Sequence, residues 1–351
     1  MSGETTNIAL MAEKISEDLF KWFRWEKVGT TNENFPCHKQ DIHKTKSKTH
    51  PCDVVFRYHD PYLNHYVYLN TDLKSYATGS ITSTAMRSAL ISLAESIDCA
   101  EGGPVWQDSY DYAHGASEVR GMLFVYNHDG DFDQNFYDVF KTVPATDVKK
   151  GRRGIDIDNI PLTRGQKIHI FEPRTINYLQ SIISDIQKLA YEKKFPSNND
   201  YQFYYPDLIL HKVNGSPETL PATIESLTGP YFIIKHGATF TFDDEGNKTQ
   251  TNESGFIIYY NGEGRNSLEF IYIFDALSKL QLLNTKTNIR LRLTHPNITH
   301  DVRATYRKAI ETYVMDWGFD DYKKSVINSI NFETIDFIKP KFSQIELGWG
   351  E

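Results

Sequence analysis

Apolar residues recur at three- and four-residue spacing through Ile8, Met11, Ile15, Leu19, Phe20, Phe23 and Val28, the period of an amphipathic helix. Gly29 and the polar run Thr30–Asn34 end it. A lysine-rich polar loop leads to Pro51. The pattern then changes to β-like runs at Cys52–Tyr58 and Tyr66–Tyr76, joined by a turn containing Pro61 and Asn64. Thr82–Ile97 returns to helical spacing, with Met86, Ala89, Leu90, Leu93, Ala94 and Ile97 on one side. Val119–Tyr126 and Lys167–Phe171 predict two further strands, and Thr175–Tyr191 another helix. The order helix, strand, strand, helix, strand, strand, helix predicts a mixed α/β layer domain.

The polar stretch Phe195–Asp200 predicts a domain boundary, dividing the chain into residues 1–194 and 195–351. A length of 351 residues fits two cores better than one. Beyond the boundary, strands are expected at Asp207–His211, Tyr231–Lys235, Phe256–Tyr260 and Phe270–Phe274. Helices are expected over Asp275–Leu283 and His300–Trp317, a hydrophilic hairpin tip or loop over Phe242–Ser254, and an extended tail from Thr334 to Leu347. This predicts a C-terminal α/β or α+β domain, for recognition, regulation or assembly. No internal repeat is visible in the sequence.

Composition narrows the class. Hydrophobic residues make up 40% and charged residues 24%, an ordinary globular balance. No apolar run approaches the roughly 20 residues that span a bilayer, and the N-terminus lacks the cationic and apolar segments of a secretory signal. Three cysteines, Cys37, Cys52 and Cys99, are too few for a disulfide scaffold. A cytoplasmic protein without membrane contact is expected. The net charge of −8 argues against strong non-specific binding to nucleic acid, yet leaves room for a basic cleft. Two stretches could line one: Lys39, Lys44, Lys46 and Lys48, and the later loop with Arg152 and Arg153. Both also read as solvated surface loops.

Chemistry concentrates around the two predicted strands. Asp53 heads the first, and Asp72 and Lys74 stand two apart near the end of the second, hence on one face. Antiparallel pairing would bring Asp53 and Asp72 close enough to share a divalent cation. Carboxylate oxygens suit a hard ion such as Mg²⁺. Such an ion polarises a phosphoryl oxygen and activates water, and a neighbouring lysine stabilises developing charge.

Pro51-Cys52-Asp53 and Asp72-Leu73-Lys74 resemble the two halves of the PD-(D/E)xK motif of restriction-endonuclease-like nucleases, with Cys52 inserted after the proline. The resemblance covers residues 10–190. It implies a restriction-endonuclease-like mixed sheet flanked by helices, a metal (Mg²⁺ or Mn²⁺) held by Asp53, Asp72 and Leu73, and catalysis by these acids with Lys74. It also implies a glutamate from the preceding helix, where Glu13, Glu17 and Glu26 stand and Glu17, at mid-helix, is favoured. DNA is the expected substrate, with a bacterial anti-phage or restriction role; RNA cleavage, or a nuclease-fold binding subunit of a larger complex, is the alternative.

Other constellations are weaker. Cys37, His38, His43, His50 and Cys52 invite zinc, but no CxxC or HxxxH pair is present. His128–Asp133 is acidic, yet its glycine does not fit a calcium loop, and a turn is favoured. There is no GxSxG elbow and no phosphate-binding P-loop, so any ATP coupling would come from a partner such as an ATPase or helicase. A homo-oligomer is the other assembly considered.

Overall fold

The structure is a computed structural model that describes residues 3–43, 48–112, 117–144, 151, 153–196, 200–205, 219–243, 245–284, 287–316, 318 and 321–339. The expected strand Asp207–His211 and most of the expected tail lie outside the described residues. Among the described residues no helix is long and apolar enough to cross a membrane. Contacts divide the chain into two units, one reaching Ile176 and including the chain from Lys339, the other Asn177–Ile338.

The first unit begins with α1 (Gly3–Trp22) and β1 (Glu26–Val28). A small hairpin follows, β2 (Glu33–Pro36) with β3 (Thr49–Cys52), and then β4 (Val54–Asp60) and β5 (His65–Tyr76). After α2 (Ser83–Ala100) and α3 (Pro104–Ser109) come β6 (Ser117–Asn127) and β7 (Ile168–Phe171). Sheet order is β1-β4-β5-β6-β7. The first two pairings are antiparallel and the last two parallel. Central strands are buried on both faces, which explains their nearly continuous apolar runs.

Alternation along these strands sorts the two faces. Phe56 and Phe124 meet Phe20 of α1, which also stacks on Trp25 at 4.5 Å between ring centroids. Val55, Leu123 and Val125 point the other way, into a core with Met86, Leu90, Leu93 and Ile97 of α2. Thr82 starts α2 by accepting the Ala85 N–H. The helix comes so close to β6 at Gly121 that a Cβ there would stand 3.0 Å from Leu93 Cγ and 2.9 Å from Ile168 Cγ1. Glycine is what that approach requires.

The second unit takes up α4 (Pro173–Tyr191), β8 (Tyr201–Phe203), α5 (Ile224–Leu227) and β9 (Tyr231–His236). A polar hairpin, β10 (Thr239–Phe242) with β11 (Lys248–Asn252), precedes β12 (Gly255–Tyr260). The rest is α6 (Ser267–Lys279), β13 (Asn288–Leu293), α7 (Val302–Asp316), α8 (Asp321–Asn328) and β14 (Asn331–Thr334). Its sheet runs β8-β9-β12-β13-β14, again with two antiparallel pairings followed by two parallel ones. The two units thus share one strand plan, each led by a helix, although the sequence shows no repeat.

Three expectations change here. The first helix ends at Trp22, and Glu26–Val28, expected as its last turn, form β1, so Glu26 is not a helix carboxylate. Phe270–Phe274, expected as a strand, lies inside α6. Asn266 caps that helix by accepting the Leu268 and Glu269 N–H groups, while Glu269 returns to the Asn266 N–H, and Phe270, Ile273, Phe274 and Leu277 form its buried face. A five-residue apolar run has no period of its own, and the cap decides. The division also falls at Ile176 rather than at 194, because α4 is bonded into the second sheet. Tyr178 Oη donates to Tyr259 O (3.0 Å), and Asp185 accepts from Tyr259 Oη (2.7 Å) and from Arg292 Nε (2.5 Å) and Nη2 (2.8 Å).

That buried Asp185–Arg292 pair gives a first prediction. Asp185→Ala removes the bidentate partner of a guanidinium that is only 8% exposed and leaves it the half-exposed Glu333, which costs up to about 3–5 kcal/mol. Urea unfolding should show a loss of that size, and Arg292→Leu added to it should recover part. A loss below about 1 kcal/mol would mean that α4 is not held this way.

Candidate active site

Asp53 occupies a break in the chain. β3 pairs with β2 and ends at Cys52, and β4 pairs with β5 from Val54 onward, so Asp53 is the single residue between two ladders. Its own carbonyl accepts the Asn32 N–H at 2.7 Å. Val54 is paired with Thr71, which sets Asp53 against Asp72 one step further along. The Leu73 N–H donates to Asp53 Oδ2 at 2.7 Å, and Lys74 Nζ is paired with Asp72 Oδ1.

The four expected residues Asp53, Asp72, Leu73 and Lys74 are therefore gathered at one point. Desolvation raises the Asp53 carboxyl to about 6; the Asp72 charge pushes the same way, while the Leu73 N–H and Lys74 oppose it. For Lys74, burial works against the charged ammonium, but Asp72 and then Asp53 outweigh it and raise the group. The space lined by Asp53, Asp72, Pro51 and Ser96 is about 10 Å³, roughly one water molecule. The carboxylates of Asp53 and Asp72 supply oxygen donors of the kind that suits a hard divalent cation.

A polar brace lies beneath, and sequence patterning gave no sign of it. Trp106 Nε1 donates to Asn70 Oδ1 (3.2 Å), Asn70 Nδ2 to Ser96 Oγ (2.9 Å), and Ser96 Oγ to Pro51 O (3.4 Å). It ties α3, β5, α2 and the approach to Asp53 together. Asn70 and Ser96 are each 1% exposed, and a buried polar residue in an otherwise apolar strand or helix face is the one signal that could have pointed to them.

Other candidates are placed elsewhere. Glu17 is half-exposed and paired with Lys27 at 2.7 Å. Glu13 is the helix carboxylate linked to the site, accepting from Asn32 Nδ2 at 3.4 Å, and Asn32 in turn holds Asp53. Glu26 is paired with Arg57. Lys39 is engaged by Asp98 at 2.7 Å, while Lys48 and Arg153 are exposed. Lys44, Lys46 and Arg152 lie outside the described residues. Asp129 is turned to Thr78, accepting its N–H and hydroxyl.

Among the described residues, the matching strand ends of the second unit carry no acidic pair. Its β9 and β12 pair Tyr231 with Tyr260, and one step further stand Pro230 and Asn261, joined by the Asn261 N–H on Pro230 O. Glu263 follows where the first unit has Lys74, and it is paired with Arg265.

A family model described as the GAPS4 protein PD-(D/E)XK nuclease domain matches residues 1–175. No curated protein and no solved structure matches the chain.

The raised Asp53 carboxyl gives a stability prediction for the metal-free protein. The folded state holds this proton more tightly than the unfolded chain, whose ordinary value is 3.8. Asp53 is thus least costly at low pH, and stability is lost as pH rises through about 6. Asp53→Asn should raise Tm at pH 8, by an amount corresponding to about 2–3 kcal/mol at most, and far less at pH 4.5. Equal shifts at both pH values would refute the placement of Asp53 beside Asp72 in a desolvated site.

Proposed function

With residues 1–175 placing this chain in the PD-(D/E)xK nuclease superfamily, we propose that it is a divalent-metal-dependent endonuclease acting from the Asp53–Asp72–Lys74 site. A nuclease domain of this kind hydrolyses phosphodiester bonds, so the substrate is nucleic acid. The observation that carries the metal-dependent reading is the desolvated Asp53 carboxyl set against Asp72, with the Leu73 N–H on one side and Lys74 on the other.

Asp53, Asp72 and the Leu73 carbonyl would hold Mg²⁺ or Mn²⁺, which when bound supplies Lewis-acid polarisation and a more acidic water. Lys74 keeps its charge and is fixed by Asp72, so it is poised to steady the attacking water and the anionic phosphorane. Leu73 orients Asp53 through its N–H, and the brace from Trp106 to Pro51 restrains both strand ends. Lys27 is within ion-pair reach of both Glu17 (2.7 Å) and Glu13 (3.9 Å), but Glu13 also accepts from Asn32, which makes it the better helix candidate. Lys48 and Arg153 are the described candidates for phosphate contacts. Lys39 is already neutralised by Asp98, and Lys44, Lys46 and Arg152 join them on sequence alone.

DNA is the proposed substrate and anti-phage defence the proposed role, in keeping with the GAPS4 family that residues 1–175 match. The second unit would recognise a partner or target, since Pro230, Asn261 and Glu263 stand where the acids and lysine would be needed.

The test is cleavage of plasmid DNA and of RNA with Mg²⁺, Mn²⁺ or EDTA. Asp72→Ala and Lys74→Ala should each slow cleavage by on the order of 100- to 1000-fold with unfolding curves little changed. EDTA should stop it. Wild-type rates in either variant would remove that residue from the site. A folded chain that binds nucleic acid but cuts neither substrate with any metal would establish the binding-subunit reading instead.

A further inference from the structure

A second cluster of metal-ligating side chains lies in the first unit, apart from the carboxylates. Cys37 follows β2, His43 lies in the β2–β3 connection, His50 is on β3 and Cys99 is at the last turn of α2. All four are buried, and one ligand atom from each lies within 4.8 Å of every other. Cys37 Sγ is 3.9 Å from Cys99 Sγ and 3.7 Å from His43 Nδ1, and Cys99 Sγ is 3.4 Å from the same nitrogen. A tetrahedral ion with bonds of about 2.3 Å to sulfur and about 2.05 Å to nitrogen has edges of roughly 3.8 Å between sulfurs and roughly 3.6 Å from sulfur to nitrogen. The three edges among Cys37, His43 and Cys99 already have those dimensions, and the edges to His50 are within 4.8 Å.

Two further observations point to a ligand. His50 Nε2 is buried with no hydrogen-bond partner, although a buried ring nitrogen ordinarily finds one. Asp98 Oδ2 stands 3.2 Å from His43 Nε2. That carboxylate fixes the tautomer with the proton on Nε2, so the Nδ1 lone pair faces the two sulfurs. A carboxylate behind a ligating imidazole is the usual outer partner of a zinc-bound histidine. Lys39 bonds the same Asp98 oxygen at 2.7 Å and holds it in place.

We propose that Cys37, His43, His50 and Cys99 form a structural zinc site that staples the β2–β3 hairpin to the end of α2. Four protein ligands close the coordination sphere, so this ion activates no water. Two thiolates and two imidazoles select zinc over the hard cations that suit Asp53 and Asp72. The alternative for two neighbouring cysteines is a disulfide, but both are free, and 3.9 Å is far beyond the roughly 2.05 Å bond. The staple closes on His50, three residues before Asp53, and so steadies the strand that delivers the acid.

The test uses the full chain, purified without chelator and analysed for metal by mass spectrometry. One zinc per chain is expected, retained in Asp53→Ala and Asp72→Ala and lost in Cys99→Ser and His50→Gln. Because a ligand variant can fail to fold, wild-type chain is also stripped, unfolded and refolded with Co²⁺ alone. Intense visible bands of tetrahedral cobalt with thiolate-to-metal charge transfer are expected, bleached by added Zn²⁺. Absence of zinc from the purified chain together with absence of those bands overturns the proposal. So does a Cys37–Cys99 disulfide found in reduced-buffer preparations, or zinc that leaves with Asp72→Ala and stays with Cys99→Ser.

Discussion

The first unit is organised around one unfavourable act, the desolvation of the Asp53 carboxyl within reach of a second acid. Nothing about a lone buried carboxylate is stabilising, and a like charge beside it makes matters worse. Three partial compensations are built in: the Leu73 N–H on Asp53, the Lys74 ammonium on Asp72, and the residual tendency of Asp53 to hold its proton. None of them neutralises both acids. The remaining negative charge is what gives such a site its affinity for a cation, and the surrounding structure must keep the acids from moving apart to relieve it. The antiparallel β4–β5 ladder does so from the strand side. The Trp106–Asn70–Ser96–Pro51 chain does so from the α2 side.

The second unit shows what the same strand plan looks like without that burden. Its strand faces alternate as in the first, with Ile258, Leu291 and Leu293 in the core shared with α6 and α7. Tyr259 and Arg292 point the other way, toward Asp185 of α4. The charge of Arg292 is matched: it is bidentate on Asp185 and reaches Glu333 at 2.7 Å. A satisfied network of this kind specifies how a helix docks but leaves no unspent charge to attract an ion. Pro230 at the position of Asp53 has no side-chain donor atom, and Asn261 carries no charge. The difference between the two units at this point therefore lies in a few strand-end residues, not in the architecture.

This contrast explains what was legible in the sequence. Asp53, Asp72 and Lys74 stood out because strand period puts the last two on one face, and because the neighbouring residues were apolar enough to bury. Helices α2 and α4 were legible from their 3.6-residue spacing. The shared strand plan was not, since pairing direction and order leave no trace in local periodicity. Phe270–Phe274 was misleading because its apolar residues are consecutive, and the Asn266–Glu269 cap that settles it lies upstream. The choice between Glu13 and Glu17 depends on Asn32 and Lys27, contacts made across a turn that no spacing rule predicts. The Cys/His cluster was half visible: Cys37, His43 and His50 are near neighbours, but the fourth ligand, Cys99, arrives from a helix separated by two strands, and Cys52 was the wrong sulfur.

The position of Asp53 at the junction of two ladders gives the zinc staple its physical sense. A residue between two strands belongs to neither, and its φ and ψ are set by whatever holds the strands on each side. Downstream, β4 is gripped by β1 and β5 in the main sheet. Upstream, among the described residues, β3 has only β2 as a strand partner, and an isolated two-stranded hairpin is marginal by itself. The upstream side therefore needs a second restraint if the carboxylate is to stay within a few tenths of an ångström of where a metal requires it. Ser96 on Pro51 O supplies one weak bond at 3.4 Å, and Asn32 on Asp53 O another at 2.7 Å. Four ligands converging from the hairpin and from α2 supply far more. They do so with sulfur and imidazole donors, so the proposed structural ion and the proposed hydrolytic ion would be kept apart by donor chemistry as well as by distance along the chain.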